Sequence, residues 1–444
     1  TADQHWVDAR TTESVTAARA AVDRLDPLEA TDEKLEARLS LARFSITLGD
    51  AESACEQLSA VRRLGGALDV ASNAGFFEVR AETNAARGRT VAALRDCRAA
   101  SGFAASMRNS EATVQIENNC ALVAAELGHI AEAIRGHEIA LTEARRTSMQ
   151  WRIAYSALNF AQTLTLAGDF RRARELAWEA VESGVTTATF RTKAAAVGIP
   201  LAMLVNDRRL LDACAREEAL GIAHRSGEAQ RISAVAAAFA ELRSAQGAIA
   251  EARGIVREAI DAMQATHRCF ALVSYAIGSD DQTAREWARR ALRHPWARPA
   301  VIHACRLLLS ATDARERTAD VMAEAETSAR LFECLGWNLA RARALEIAGD
   351  VRGAYAAYIL MGGVRDAERL RPAACEDARP SDTALSPRQT EIAALVAEGA
   401  TNRAIAQRLN ISEHTVEHHL SSIFVRLGLR SRAALAARIG SSPV

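Results

Sequence analysis

The chain has 444 residues, enough for two to four domains at ~150 residues each, and 55 basic residues balance 55 acidic ones. That balance excludes a polybasic nucleic-acid coat and an acidic decoy, so any nucleic-acid contact must be local. With 49% hydrophobic and 25% charged residues the composition is globular, and charges cut every apolar stretch short of the ~18 residues of a membrane span.

Residues 1–5 (Thr1, Ala2, Asp3, Gln4, His5) lack the basic segment and apolar run of a secretory signal, so a cytoplasmic chain with no membrane partner is expected. The sequence starts without Met, which leaves open that it is the C-terminal part of a longer protein. The eight cysteines (Cys55, Cys97, Cys120, Cys214, Cys269, Cys305, Cys334, Cys375) include no CxxC pair, which argues against a disulfide framework and a zinc site and for small apolar thiols buried in helices.

Residues 1–370 read as helix throughout. Ala, Leu, Arg and Glu dominate, Gly and Pro are sparse, and no strand-length alternation of β-branched residues occurs. Gly49, Gly88, Gly128, Gly168 and Gly247 stand 39, 40, 40 and 79 residues apart, and Gly349 repeats the same local pattern. Each has an alanine five positions on: Ala54, Ala93, Ala133, Ala173, Ala252 and Ala354. Glycine in the left-handed conformation ends the first helix of a pair, and Asp50, Asp169 or Asp350 caps the second. The small alanine lets the second helix approach the first. Asn206-Asp207 stands where the missing member between Gly168 and Gly247 belongs. Such pairs cannot bury their apolar stripes alone and must stack, so the expected fold is an all-α, TPR-like α-solenoid of ~40-residue helix pairs. Beyond Gly247 the spacing degrades, and Pro295 and Pro299 interrupt the run, so the repeat count between 270 and 340 is open.

The first helix of the fourth pair is expected from about Thr147 to Ala167. Trp151, Tyr155 and Asn159 share one stripe at i, i+4 and i+8, with Arg152 beside it. Two amphipathic aromatics with an amide and a guanidinium suit an effector or protein partner on the concave face, although filling of the core between repeats is the plainer expectation for Trp151 and Tyr155. The Pro/charge segment 371–384 is the expected linker.

Residues 385–444 divide into four short helices. Ser386-Pro387 with Gln389 forms a capping box and an N1 proline, and Gly399 ends the first helix. Thr401 caps the second, which carries Ile405, Ala406 and Leu409. Ser412 caps the third, in which Val416, Leu420, Ile423, Phe424 and Leu427 recur at helical spacing until Gly428, and Ser431 opens the fourth. Only Asn410-Ile411 separates the second helix from the third, a turn that forces a steep crossing and defines a helix-turn-helix.

This segment closely resembles the DNA-binding domain of the LuxR family. The pattern is Leu385-Ser386-Pro387-Arg388, Glu391-Ile392, Gly399, Asn402, Ile405-Ala406, Leu409, Ile411-Ser412, Thr415-Val416, His419, Ile423, Arg426-Leu427-Gly428-Leu429 and Arg432. The resemblance implies a four-helix domain that binds double-stranded promoter DNA as a homodimer or higher oligomer and, in an activator, contacts RNA polymerase. It places the recognition helix on 412–427, with Thr415, Glu417, His418 and Ser421 facing the groove beside Val416. Thr401, Asn402 and Arg403 begin the scaffold helix near phosphate, and Arg388, Arg426, Arg430 and Arg432 are charge candidates. Much of the family has Lys where this chain has Glu417. Glutamate repels phosphate but accepts from cytosine N4, which moves that position from backbone anchoring to base reading. The 40-residue repeats in turn resemble the sensor domain of the large LuxR-type regulators related to the maltotriose-responsive activator.

His414 and His418 lie i, i+4 on one helix, but with no third ligand on that face a metal site is not expected. The lysines, Lys34 and Lys193, fit no P-loop, so no cofactor is expected in this chain and any ATP site would lie upstream of Thr1. A receiver or acyl-homoserine-lactone sensor would need strands. No nucleophile–base pair, HExxH or carboxylate cluster emerges, so an enzyme is not expected. The competing class is a repeat scaffold whose terminal domain docks protein. Seven Arg against five acidic residues in 381–444, a net +2, favour DNA.

Overall fold

The computed structural model describes residues 8–27, 31–64, 68–107, 110–263, 319–375, 385–411, 413–427, 429 and 432–440. Among these the structure is helical without strands. The paired helices are α1 Thr11–Leu25, α2 Thr31–Thr47, α3 Ala51–Arg63, α4 Val70–Ala86, α5 Thr90–Ala105, α6 Ser110–Glu126, α7 Ile130–Thr147, α8 Gln150–Ala167, α9 Phe170–Glu182, α10 Ala188–Val205, α11 Arg208–Cys214, α12 Glu218–Ser226, α13 Ala229–Ala245 and α14 Ile249–Met263. After an interval come α15 Ala319–Cys334, α16 Asn338–Ile347, α17 Val351–Met361 and α18 Val364–Cys375. The C-terminal set is α19 Pro387–Ala397, α20 Asn402–Leu409, α21 Glu413–Leu427 and α22 Arg432–Gly440. Residues 264–318, with Pro295 and Pro299, lie outside the described residues, as do Cys269 and Cys305.

The turn chemistry recurs as the spacing predicts. Gly49, Gly88, Gly128, Gly168, Gly247 and Gly349 all have positive φ, and Asn206 takes the same conformation at φ 56°. At Gly168 the amide of Asp169 bonds the carbonyl of Leu164 at 2.9 Å, closing the six-residue ring of a Schellman turn. The alanines five positions on are fully buried, each without exposed surface. Asp50, Asp169, Asp207 and Asp350 each accept from the backbone N–H three residues on, capping the second helix of the pair.

Neighbouring first helices α2, α4, α6, α8, α10 and α13 pack directly on one another, whereas the second helices meet chiefly their own partner and the next first helix. The row of first helices is therefore the inner, shorter arc of the solenoid. The helix α10 is long and apolar enough to cross a membrane, with mean hydropathy 1.2. It is instead buried by α8, α11, α12, α13 and α18, as an all-round apolar core helix must be.

The superhelix also meets itself. Thr11 on α1 donates to the Glu228 carboxylate, and Glu228 holds Arg231 at 2.7 Å. The Trp337 indole N–H donates to the Ala125 carbonyl at 2.9 Å, and Asn338 donates to the Ala167 carbonyl at 2.7 Å, so the later helices sit on the turns of the third and fourth pairs.

Gly168 is one such turn. Its φ is +86°, and a Cβ there would lie 2.6 Å from Met361 Cγ and Sδ. Gly247 has a similar φ of +82°, and no atom of the described residues would lie within 4 Å of a Cβ there. Gly247→Ala is expected to cost only left-handed strain, about 1 kcal/mol, and Gly168→Ala a further ~1–3 kcal/mol of overpacking. Urea unfolding of both variants checks this; equal losses would mean that Met361 yields freely.

Two expectations are corrected. The helix α18 runs on through Arg371 and Pro372 to Cys375, so the helical part extends past 370 and shortens the expected linker. Residues 376–384 lie outside the described residues. Of the cysteines, Cys97, Cys120 and Cys214 are buried in helices, but Cys55 is half-buried and Cys334 is exposed at the end of α15. The side chain of Cys375 is outside the described residues.

Candidate nucleic-acid interface and the inner-face cluster

The C-terminal helices begin and end as their caps dictate. Ser386 Oγ accepts from the Gln389 N–H at 3.3 Å, and Gln389 Oε1 accepts from the Ser386 N–H at 3.0 Å, a complete capping box with Pro387 in the first turn. Gln389 also donates to Ser422 Oγ at 2.9 Å, tying α19 to α21. Thr401 Oγ1 accepts from the Ala404 N–H at 3.2 Å. Asn410 is left-handed at φ 51°, and the Ile411 N–H bonds the Ala406 carbonyl at 3.0 Å. Ile411 packs against the core, so the turn turns inward and the two helices cross as a helix-turn-helix.

Ile392, Ala393, Ile405, Val416, Leu420, Ile423, Phe424 and Leu435 are fully buried. Their burial fixes one face of α21 inward. Val416, expected among the DNA contacts, is 0% exposed and is a core residue; its neighbour Thr415 is half-buried. The backbones of Glu417, His418 and Ser421 lie in α21, while their side chains, that of His414, and Ser412, Gly428, Arg430 and Ser431 fall outside the described residues. Arg403 is exposed in the first turn of α20, beside exposed Thr401 and half-buried Asn402.

Two charge candidates have work inside the fold. Arg388 donates to the Leu409 carbonyl at 2.8 Å and to Glu391 at 2.7 Å, stitching α19 to the end of α20. Arg432 donates to Asn402 Oδ1 at 2.9 Å and to the Ala400 carbonyl at 2.5 Å, joining α22 to the start of α20; burial lowers its pKa. Arg388 thus satisfies a carbonyl at the C-terminal end of α20, and Arg432 one in the turn between α19 and α20. Arg426 is half-buried.

The helix-turn-helix is not isolated from the repeats. The helix α17 packs on α21, and buried Tyr355 donates its hydroxyl to the Leu429 carbonyl at 2.6 Å. One continuous apolar core runs from Leu141 through Tyr355 and Tyr358 to Leu435.

On the inner arc, α8 starts at Gln150, not Thr147, because Ser148 is left-handed at φ 55°. Trp151, Arg152 and Tyr155 are half-buried, while Asn159 is only 1% exposed. Arg152 pairs with Glu111 and lies over the Trp151 ring, 4.4 Å from its centroid. Both amide atoms of Asn159 are buried without a hydrogen-bond partner among the described residues.

Lys193, which fits no P-loop, belongs to this strip. It lies on α10, donating to Gln162 Oε1 at 2.6 Å, with Nζ 5.9 Å from the Tyr155 ring centroid. Burial, reinforced by nearby Arg231, lowers its pKa to about 7. The signal was available: Gln115, Tyr155 and Lys193 each stand 13 residues before a turn residue (Gly128, Gly168, Asn206), the same register of three successive first helices.

Residues 383–439 match the bacterial regulatory proteins of the luxR family, and the C-terminal domain is a luxR-family DNA-binding domain. Over 60 residues the chain is 45% identical to the HTH-type transcriptional regulator Mb0914c of Mycobacterium bovis, a match covering 13% of this chain and 7% of that protein. Over 52 residues it is 40% identical to the nitrate/nitrite response regulator protein NarL of Escherichia coli, covering 12% and 24% of the two chains. The matches thus span a small part of these relatives. Among solved structures, a Rap protein complexed with Competence and Sporulation Factor superposes with TM-score 0.43 at 14% identity, covering 79% of this chain and 94% of that one.

Proposed function

We propose that this chain is a sequence-specific transcriptional regulator: α21 enters the major groove of promoter DNA, and the helical repeats hold an effector or protein partner and control assembly. On this reading the chain binds and does not catalyse. The observation that carries it is the tight Asn410-Ile411 turn, which turns one face of α21 into the core and leaves the opposite face to read bases. A domain of net +2 neutralises few phosphates, so useful affinity requires two copies on paired half-sites, and RNA polymerase is the further partner of an activator.

The test is a mobility-shift series with the full chain on a selected site. Arg403→Ala is expected to weaken all sequences alike and to flatten the salt slope by about 1. His418→Ala or Glu417→Ala is expected to change preference at one base position by ~1–3 kcal/mol. Arg432→Ala acts differently: it frees the ends of α20 and α22 and lowers stability before it touches specificity. If site selection returns one motif for wild type and both groove variants, the groove face is misassigned.

A further inference from the structure

The inner arc holds two polar groups that the fold brings together and leaves incomplete. The first is Asn159. Its amide N–H2 and carbonyl oxygen are both buried, and neither meets a partner among the described residues. A buried amide with neither hydrogen bond made is a standing cost, and such groups are rare in folded proteins. The second is Lys193. Its ammonium is held by the neutral Gln162 oxygen and the face of Tyr155, and no carboxylate of the described residues lies within ion-pair distance. Two charges act on it from beyond pairing distance: another cation, Arg231, whose own carboxylate is Glu228, and, more weakly, the Glu126 carboxylate.

Tyr155, Asn159 and Gln162 follow one another at i, i+4 and i+7 along α8, so all three lie on one side of that helix, and Gln162 reaches Lys193 on α10. One helical turn is about 5 Å, so the Asn159 amide and the Gln162–Lys193 pair are separated by about the length of one or two peptide units. A peptide bond offers one acceptor and one donor, the complement of a carboxamide, and a carboxylate is the complement of an unpaired ammonium. The half-buried faces of Trp151 and Tyr155 add apolar area beside them.

From this juxtaposition we propose that the inner face between α8 and α10 is a binding site for a peptidic carboxylate, in which a ligand amide pairs with Asn159 and the ligand carboxylate with Lys193. This deepens the reading of the repeats as the effector-binding part of a regulator and rests on it. Burial and Arg231 disfavour the charged ammonium against a smaller opposing pull from Glu126, and an arriving carboxylate adds to that pull.

The chain contains only two lysines, Lys34 and Lys193, so [6-13C]lysine labelling of the full chain yields two methylene signals, one at the site and one remote from it. Three probes are titrated without DNA: N-acetyl-alanyl-alanine, its C-terminal amide, and sodium acetate. The expected result is a saturable shift of the Lys193 signal with N-acetyl-alanyl-alanine, no shift of Lys34, and at least tenfold weaker responses to the amide and to acetate.

Asn159→Leu supplies the second arm. It is expected to weaken the acetylated dipeptide at least tenfold while melting no lower than wild type, because it removes an unpartnered polar group and keeps the volume. No Lys193 shift at any probe concentration, equal shifts with acetate and the dipeptide (an anion attracted by charge only), or an Asn159→Leu chain that melts below wild type would each overturn the proposal. The readout uses no DNA and the mobility shift uses no peptide, so the two readings fail separately.

Discussion

Between pH 6.5 and pH 4 the repeats are expected to lose about 3 kcal/mol of stability through one side chain, His137. It is 0% exposed on α7, with Nδ1 3.2 Å from Asn118 Oδ1, Nε2 3.0 Å from Thr163 Oγ1 and its ring stacked on Phe160 at 5.5 Å. Burial first, and Lys193 second, lower its pKa from 6.5 to about 3. A folded pKa below the unfolded value means that the unfolded chain binds the extra proton throughout that window. The stabilisation is therefore complete above pH 6.5 and is lost as pH falls toward 3. Other groups also titrate in acid, so the comparison is with His137→Gln, which keeps an amide in the network but takes up no proton. Urea unfolding at several pH values should show wild type steeper than the variant by about 1.4 kcal/mol per pH unit near pH 5. Parallel slopes would mean that His137 is already charged in the fold.

Val416→Asp is the second large effect. The side chain has no exposed surface, and α21 has Leu420, Ile423 and Phe424 on the same inward face. A carboxylate there must be buried unpaired or protonated, which costs several kcal/mol, more than a four-helix domain of this size has to lose. The expected outcome is loss of specific DNA binding together with loss of α21 helicity, while helices α2–α14 keep their amide protection in hydrogen exchange. Thr415→Asp, one position away and half-buried, should leave the domain folded. If Val416→Asp stays folded and changes only base preference, Val416 faces the groove after all.

Why the repeats were legible and their closure was not follows from the range of the interactions. The turn at Gly168-Asp169 is a local event: a left-handed glycine, a cap three residues before an orphan N–H and an alanine five positions on leave a mark within one segment. The same holds for Ser386-Pro387 with Gln389 and for Asn410-Ile411, which define the start of the C-terminal domain and its crossing angle before any packing is considered. Helical periodicity likewise placed Leu420, Ile423 and Phe424 inward, and that is where they lie.

Contacts between distant segments carry no such mark. Nothing near Ala125 announces that Trp337 will bond its carbonyl, and Gly168 reads as a turn glycine with no sign that Met361 occupies the space a side chain would need. Arg388 and Arg432 have the composition of phosphate contacts, and only the proximity of the Leu409 and Ala400 carbonyls turns them into clasps between helices. Lys193 is the sharpest case. Its register was readable from the repeat, but the absence of a carboxylate within ion-pair distance among the described residues is a property of everything that surrounds it, including Arg231 on another helix. Hydrogen bonds three to six residues apart are dictated by the chain itself. Those spanning a hundred residues or more arise when stacked repeats curve until their ends meet, and that curvature is a sum over packed side chains that no single segment encodes.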